Sequence, residues 1–312
     1  MENREAGIYP RSSVKSAVKM LVVFLGCWLR LNADTLVVAT YNVENYGPAD
    51  RVTEAGFRKD YPKPEAEKRA LRTVIRGLNA DVIVFQEMGD AAYLGELRRD
   101  LQSEGVVYAA AVVLDADDAD RRVAVLSKRP LKRVVQHTDL SFSYFGAREK
   151  VKRGLLEVVL GTDAGEVTLF GLHLKSRFTD RADDPLSAVR RAGEATAVRD
   201  RVLQRFPTPG AEKFVMLGDC NDDRASKPLT FLEARGRTVV AELLRATDSR
   251  GETWTHYYRK NETYSQVDHV LVSPALKASV VGGTARIYDG EGVRDASDHR
   301  PVVVTLELKP GK

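Results

Sequence analysis

The chain has 312 residues, of which 43% are hydrophobic and 29% charged, and it shows no internal repeat. This composition is that of an ordinary globular protein that can bury a sizeable core. Residues 1–33 hold five of the basic and two of the acidic residues, so the rest of the chain carries a net charge near +1. That balance excludes a broadly basic nucleic-acid-binding surface, although a local basic patch remains compatible with it.

Residues 1–33 have the pattern of a signal peptide. Four basic residues precede the apolar run Met20–Leu29, and the small residue Ala33 follows it. A run of about ten residues is too short to span a bilayer, which takes about 20. The pattern predicts export to the periplasm or the medium. A buried N-terminal element, or a start at Met20, would instead leave the protein cytoplasmic. Cleavage would leave Cys220 as the only cysteine and exclude an internal disulfide.

The rest of the chain predicts one domain over residues 34–312. Buried apolar runs predict strands, and apolar residues at helical spacing predict helices. The predicted strands are Thr35–Val43, Asp81–Glu87, Arg122–Lys128, Gly154–Leu160, Glu166–Ser176, Phe214–Leu217, Gln266–Val272 and Pro301–Leu308. The predicted helices run from Pro64 to Asn79, from Asp90 to Gln102, from Asp184 to Phe206 and from Pro228 to Ala234. This order indicates sheets covered by helices.

The segments between these elements are predicted to be loops. Pro48–Pro64 is polar and punctuated by Pro and Gly, which is typical of a loop. Asp115–Asp120 (DADDAD) lacks the Gly at the sixth position and the Glu at the twelfth that an EF-hand loop needs, so it predicts a solvated loop. Substrate choice is expected to lie in Gly47–Pro64, Ser141–Arg153 and Arg177–Pro185.

Polar side chains stand at the ends of several predicted strands. In Lys213–Asp223 (KFVMLGDCNDD), a buried apolar run breaks at Gly218 and presents Asp219 and Asn221, two residues apart and on one face. Taken alone, the sequence Gly-Asp-x-Asn at residues 218–221 favours an ordinary turn. The same design recurs at five other places, which together hold Asn42, Glu44, Glu87, His173, Lys175, Asp268, Asp298 and His299. Such an oxygen-rich set of donors selects Mg²⁺, Mn²⁺ or Ca²⁺ over zinc.

Six motifs in this order resemble those of the endonuclease/exonuclease/phosphatase family, which includes deoxyribonuclease I, abasic-site endonucleases, neutral sphingomyelinases and inositol polyphosphate 5-phosphatases. They are TYNVEN (Thr40–Asn45), FQE (Phe85–Glu87), LHLKS (Leu172–Ser176), GDCND (Gly218–Asp222), QVDHVLVS (Gln266–Ser273) and SDHRPV (Ser297–Val302). The resemblance implies a deoxyribonuclease I-like α/β fold, a four-layer sandwich with two central mixed β-sheets flanked by helices. It also implies a metal-dependent hydrolase acting on phosphoric esters.

The resemblance also implies a role for each matching residue. Glu87 matches the principal metal-binding carboxylate, and Asn42 and Asp298 match residues that complete the metal's surroundings, with Mg²⁺ the expected ion and Mn²⁺ or Ca²⁺ the alternatives. Five residues match the catalytic set: Asp219 on the attacking water, Asn221 on a phosphate oxygen, His299 on the scissile phosphate, Asp268 orienting that histidine, and His173 as the second active-site histidine. Lys175 is a candidate phosphate contact and Glu44 a candidate support of the metal, with a solvated surface role as the alternative for both. Apart from the resemblance, Arg148, Lys152 and Arg153 are candidate contacts of an anionic substrate, with a solvated basic run as the alternative.

Other conspicuous residues favour structural interpretations. His137 and His256 are predicted to be surface or hydrogen-bonded histidines, and Cys220 to be an inert core residue. Trp254, Tyr257 and Tyr258 favour core packing over a wall for a base or sugar.

The sequence favours an exported nuclease that acts on DNA or RNA as a monomer, with no membrane span in the mature chain. The basis is the histidine in LHLKS, taken together with the export signal. A lipid or inositol phosphate phosphoesterase is the alternative, although no long apolar hairpin for membrane insertion is visible in the sequence. A non-catalytic binding module on the same fold is disfavoured, because such a module has no need to keep Glu87, Asp219, Asn221, Asp268 and His299 together.

Overall fold

The computed structural model describes residues 34–53, 55–179 and 181–309, and the predicted signal segment lies outside them. The α-helices are α1 (Glu65–Leu78), α2 (Ala91–Ser103), α3 (Ala188–Arg205), α4 (Lys227–Glu233) and α5 (Val293–Ala296). Short 3₁₀ helices cover Pro185–Ser187, Pro209–Ala211, Pro274–Ser279 and Val281–Gly283. None of the helices in this part of the chain is long and apolar enough to cross a membrane.

The strands of the described chain fall into two large sheets and four small hairpins. In chain order they are β1 (Asp34–Asn42), β2 (Ala49–Thr53), β3 (Gly56–Tyr61), β4 (Val82–Met88), β5 (Ala110–Val113), β6 (Arg122–Ser127), β7 (Leu131–His137), β8 (Ser141–Tyr144), β9 (Ala147–Lys150), β10 (Leu155–Thr162), β11 (Gly165–His173), β12 (Phe214–Asp219), β13 (Ala234–Arg235), β14 (Thr238–Val239), β15 (Glu242–Leu243), β16 (Ala246–Thr247), β17 (His256–Tyr258), β18 (Thr263–Ser265), β19 (Asp268–Val272), β20 (Ala285–Ile287) and β21 (Val302–Leu308).

Two mixed sheets pack face to face. The first has the strand order β16-β20-β21-β1-β4-β6-β5, with β1 and β4 parallel, and the second has the order β15-β19-β12-β11-β10-β7, with β11 and β12 parallel. Their facing side chains form one apolar core, in which Val38 and Val84 of the first sheet and Leu169 and Val215 of the second are fully buried. Central strands covered on both faces require continuous apolar runs, and β1 and β12 have them.

Helices cover the outer face of each sheet. On the first sheet, α1 and α2 bury one apolar side each, carried by residues such as Leu71 and Leu97. On the second sheet, α3 and α4 pack through Val198 and Leu229. The predicted four-layer α/β sandwich is confirmed: helices, sheet, sheet and helices follow one another across the molecule.

Some of the predicted local structure is wrong. Pro48–Pro64 is not a loop, because β2 and β3 pair in it as an antiparallel hairpin. The side chains of Val52 and Phe57 are 86% and 64% exposed, so the hairpin lacks the buried alternation by which a strand is recognised. Ser141–Arg153 likewise contains the β8–β9 hairpin. The helix expected from Asp184 begins as an α-helix only at Ala188, after a 3₁₀ turn, although the Asp184 carboxylate does accept hydrogen bonds from two backbone N–H groups at its start.

Candidate active site

The polar strand ends of both sheets meet in one cleft of about 1110 Å³. The first sheet contributes the end of β1, the end of β4 and the segment before β21, and the second contributes the adjacent ends of β11, β12 and β19. The predicted residues that line the cleft are Glu44, Glu87, Arg153, His173, Lys175, Asp219, Asn221, Asp298 and His299. Asn42 and Asp268 lie beneath them, each hydrogen-bonded to one of the lining residues.

Gly218 allows two of the site-bearing strands to approach each other. In the register of the second sheet, His173 pairs with Asp219, and Asp219 pairs with Asp268, so three ionisable side chains stand in a row. Gly218 has a φ of +154°, and a Cβ atom there would lie 1.9 Å from the carbonyl oxygen of Leu172. Only glycine fits at that position. The glycine of the GDCND motif therefore sets the distance between His173 and Asp219.

His299 is held from below by a buried carboxylate. Its Nδ1 lies 2.8 Å from Oδ2 of Asp268, and the two side chains are 8% and 1% exposed. Burial by itself would lower the pKa of His299, but the negative charge of Asp268 and the hydrogen bond to it outweigh burial and raise the pKa well above its usual value. The ring therefore carries its proton on Nδ1 toward Asp268 and presents a charged Nε2–H to the cleft.

The Asp219 carboxylate is fixed by several donors. Asn42 donates its Nδ2–H to Oδ2 at 3.0 Å, and the Asn221 backbone N–H donates to Oδ1 at 2.8 Å. His173 Nε2 lies 3.4 Å from Oδ2. Burial would raise the pKa of Asp219, but the hydrogen bond from His173 and the positive charge of His299 outweigh it and hold the pKa well below its usual value. Asp219 is therefore an ionised acceptor that faces the cleft.

Asn42, Asn221 and His173 support Asp219 in this structure. Asn42 Oδ1 accepts the Glu44 backbone N–H, so both ends of its amide are engaged. The Asn221 Nδ2 donates to the carbonyl of Leu174 and to Asp219. Burial first, and then the nearby positive charge of Arg153, lower the pKa of His173. A neutral His173 donates from Nε2, and its buried Nδ1 has no partner among the described residues.

Three carboxylates of the cleft, those of Glu44, Glu87 and Asp298, are of the type that binds a hard divalent cation. Glu87 sits at a bulge in β4 with a φ of +59°, and its Oε2 accepts the Asn45 N–H. The Oε2 atom of Glu44 accepts the Asp298 N–H. Burial, followed by the negative charge of Asp298, raises the pKa of Glu44. A cation beside Glu44 and Asp298 would relieve this repulsion. Asp298 also forms a group with His256 and His299 in which the possible ligand atoms lie within 4.8 Å of one another, and Glu87 lines the same cleft, so the donors suit the Mg²⁺ ion that the sequence predicts.

His256 is a cleft residue that the sequence-based prediction missed. Its ring packs on His299 with centroids 4.5 Å apart, and its Nε2 lies 3.6 Å from Oδ2 of Asp298. Burial would raise the pKa of Asp298, but His256 and His299 outweigh it and lower that pKa. The prediction of a surface or merely hydrogen-bonded His256 is wrong in placing it away from the site. An isolated bridge between residues 256 and 299 brings the rings together, and no spacing in the sequence signals that bridge.

The two predicted phosphate contacts are engaged with protein groups. Arg153 donates from Nε to Asp118 and from Nη1 to the Leu174 carbonyl, each at 2.9 Å. The Lys175 ammonium group donates to the oxygens of Ser176 and to the Phe178 carbonyl. The solvated-loop prediction for Asp115–Asp120 is therefore wrong at Asp118, because that residue is half-buried and paired with Arg153.

The residue after His299 anchors the loop that carries it. Arg300 donates from Nη1 to Oδ2 of Asp248 at 2.8 Å and from Nε to the Trp254 carbonyl at 3.0 Å, and its guanidinium lies 3.4 Å from the Trp254 ring centroid. The side chains of Arg300 and Asp248 are 4% and 0% exposed. The arginine of SDHRPV thus fixes the backbone from which His299 projects.

A match to a family model identifies the class of protein, a hydrolase that acts on phosphoester bonds. A model of the Endonuclease/Exonuclease/phosphatase family matches residues 39–299. The chain belongs to that family. A search of curated proteins gave no match.

Solved structures with the same fold are similar at low sequence identity. Sphingomyelinase C from Streptomyces griseocarneus is 19% identical over 87% of this chain and 99% of its own, with a TM-score of 0.60. A Staphylococcus aureus beta toxin mutant with bound magnesium ions is 16% identical over 88% and 99%, with a TM-score of 0.60. The human Nocturnin catalytic domain with bound sulfate is 13% identical over 87% and 93%, with a TM-score of 0.59. These likenesses show the fold alone.

Proposed function

We propose that this phosphoesterase is an exported nuclease that hydrolyses phosphodiesters by in-line attack of a water molecule. The observation that carries the proposal is the opposite charge of two fixed groups in one cleft. His299 holds a proton against Asp268, and Asp219 is held ionised by its donors. Hydrolysis of a phosphodiester needs both an acceptor on the water and positive charge at the phosphoryl oxygens.

Asp219 orients the attacking water by accepting its hydrogen bond. A carboxylate with so low a pKa is a weak base, so its main contribution is to aim the lone pair of the water oxygen at phosphorus. Asn42 and the Asn221 N–H fix the direction of this carboxylate. The Asn221 amide reaches a phosphate oxygen only if it gives up the bond to Leu174 or to Asp219.

His299 stabilises the charge that develops on the phosphoryl group. Its Nε2–H faces the cleft and donates to a non-bridging oxygen as the phosphorus gains a fifth ligand. His256 packs against the ring and holds its orientation. Glu87 and Asp298, with Asn42 and Glu44 behind them, would hold Mg²⁺, with Mn²⁺ or Ca²⁺ as alternatives. When bound, the ion supplies Lewis-acid stabilisation of the same oxygens.

The proposal is tested by hydrolysis of bis-p-nitrophenyl phosphate, p-nitrophenyl phosphate and plasmid DNA with Mg²⁺ or Mn²⁺. The expected result is turnover of the diester and of DNA that is lost with EDTA and in His299→Ala. His137→Ala is the matched control, because His137 is also buried against a carboxylate, Glu157 at 2.9 Å, but does not line the cleft. It should retain activity.

Two results would contradict the proposal. Turnover of the monoester alone would indicate a phosphatase. Absence of turnover on all three substrates, combined with hydrolysis of sphingomyelin or phosphatidylinositol phosphate vesicles, would indicate a lipid phosphoesterase.

A further inference from the structure

The candidate catalytic residues form the floor of the cleft, and the two walls above them differ in chemistry, one being basic and the other aromatic. One side is formed by segments around residues 118–121, 151–153 and 174–178, and it places five cationic side chains on the cleft: Arg121, Lys152, Arg153, Lys175 and Arg177. Another side is the β17–β18 hairpin, which presents Tyr258 and Tyr264. Phe178 lies at the rim of the basic side.

The three aromatic side chains are exposed where they line the cleft. Phe178 is 80% exposed, Tyr264 59% and Tyr258 44%. Exposed aromatic rings that border a catalytic cleft are unusual, since such residues ordinarily bury most of their surface. Their position beside a site for an anionic substrate indicates contact with a planar group of that substrate.

Tyr264 is held rigidly by its neighbours. Its ring stacks on Tyr257 with centroids 4.7 Å apart and an interplanar angle of 27°, and it meets Trp254 edge-on at 4.8 Å. Tyr257 and Trp254 therefore hold the ring of Tyr264 in place. A fixed ring loses little entropy when a ligand stacks on it, which is the property of a recognition platform.

The two walls adjoin the catalytic residues from different strands. The hairpin joins the floor through the bridge between His256 and His299. The basic side joins it through Arg177, whose guanidinium donates to the backbone carbonyl of Asn221. A substrate with its scissile phosphate on His299 therefore extends along both walls.

Lys152 is available for an anion. It is exposed and lines the cleft, and its ammonium group makes no hydrogen bond or ion pair with the residues that the structure describes. Arg177 is partly neutralised by Asp223 at 2.9 Å, so the basic side contributes a small number of phosphate contacts. This agrees with a chain whose net charge is near +1 outside residues 1–33.

From this pairing of walls we infer that the cleft binds a single-stranded polynucleotide, with phosphates along the basic side and unpaired bases stacked on Tyr258, Tyr264 and Phe178. The inference rests on the proposed nuclease function. Bases in a duplex are stacked on one another and expose only their edges, so a duplex offers nothing to these rings. Base-on-aromatic stacking combined with a basic track is the general means of holding single strands without sequence preference.

The test is fluorescence anisotropy of the full chain with a labelled oligothymidylate of about 12 nucleotides, with EDTA present to prevent cleavage. The comparison ligands are a hairpin duplex of similar length and a base-free strand built of tetrahydrofuran phosphates. The single strand should bind most tightly. Tyr264→Ala and Tyr258→Ala should each weaken its binding by about 5- to 100-fold and leave binding of the base-free strand unchanged.

Three further variants identify the basis of any loss. Tyr61→Ala is the matched control, because Tyr61 is 40% exposed and does not line the cleft, and it should bind like the wild type. Tyr264→Phe should also bind like the wild type, since it keeps the aromatic face. Lys152→Ala should weaken the single strand and the base-free strand alike and reduce the salt dependence of binding.

The result distinguishes this inference from the proposed function. Equal affinity for single strand, duplex and base-free strand, or no effect of either tyrosine variant, would overturn the single-strand inference even if bis-p-nitrophenyl phosphate is hydrolysed. Failure to hydrolyse any diester would overturn the nuclease proposal. Binding of phosphatidylcholine vesicles in preference to every oligonucleotide would overturn both.

Discussion

Replacing Asp268 with Asn tests the charge that holds His299 protonated. Asn has nearly the same shape and can still accept the Nδ1–H at the observed 2.8 Å, so the substitution removes the negative charge and little else. The pair is almost completely enclosed, with side chains 1% and 8% exposed, so water does not replace the lost charge.

The size of the effect follows from the geometry. The positive charge of an imidazolium is shared by both ring nitrogens, so its mean distance from the carboxylate is about 4 Å, and at an effective dielectric constant of about 20 the attraction is about 4 kcal/mol. An attraction of that size is worth about a thousandfold in the protonation equilibrium of the ring, so its loss lowers the pKa of His299, removes the Nε2 proton that meets the phosphoryl oxygen and lowers kcat by up to about a thousandfold. This lies within the usual contribution of a positioned acid or base.

The assay is kcat for bis-p-nitrophenyl phosphate with Mg²⁺, measured for Asp268→Asn, His299→Gln and the double variant. Because Asp268 acts through His299, the double variant should be no slower than His299→Gln alone. Circular dichroism and the Tm of each variant verify that it is folded. A kcat of Asp268→Asn within about threefold of wild type, or a double variant whose loss is the product of the two single losses, would refute the reasoning.

Three further predictions concern the supports of the site. Gly218→Ala should lower the free energy of unfolding by about 3 kcal/mol or more, measured with urea, because its Cβ would overlap a carbonyl oxygen. His256→Gln should weaken Mg²⁺ binding by about tenfold in calorimetry, since its ring no longer holds Asp298. Asp248→Asn should lower the free energy of unfolding by about 3 kcal/mol at neutral pH by leaving Arg300 buried without its partner. Asp248→Asn should also flatten the acid limb of the curve of stability against pH. Burial would raise the pKa of Asp248, but the hydrogen bond from Arg300 outweighs it and lowers that pKa. In the wild type the stabilisation by Asp248 is therefore complete above about pH 4 and is lost as the pH falls further.

Each of these predictions has an outcome that contradicts it. Gly218→Ala with unchanged unfolding would mean that β11 and β12 can separate without loss. An unaltered Mg²⁺ affinity in His256→Gln would leave that ring as a support of His299 only. If Asp248→Asn loses stability on acidification as steeply as the wild type, other carboxylates govern the acid limb.

The layers of the fold were predictable because they follow from apolar periodicity. β1, β4 and β12 are continuous apolar runs, and α1 repeats its buried residues at helical spacing. The β2–β3 hairpin was not predictable by the same reasoning, since both of its faces are exposed. A strand without a buried face leaves no alternation in the sequence, and its pairing depends on turn geometry alone.

The sequence predicted which residues form the candidate site better than it predicted which of them contact one another. Polar residues at strand ends identified Asp219, Asp268 and His299, because a break in an apolar run marks where a strand leaves the core. The sequence could not show that His256 would meet His299, as the contact depends on a single bridge between distant segments. Nor could it show that Arg153 would form an ion pair with Asp118, because an ion pair depends on the directions of the two side chains.

The hydrogen bond between Asn42 and Asp219 spans 177 residues and joins the two sheets, and the one from Ser297 to the Asn42 carbonyl spans 255. Contacts so distant in sequence form late in folding. During synthesis, neither sheet alone carries the complete candidate site. The SDHRPV motif must leave the ribosome before that site can form. A chain kept unfolded is therefore inert toward phosphoesters, and the onset of hydrolysis reports the docking of the sheets.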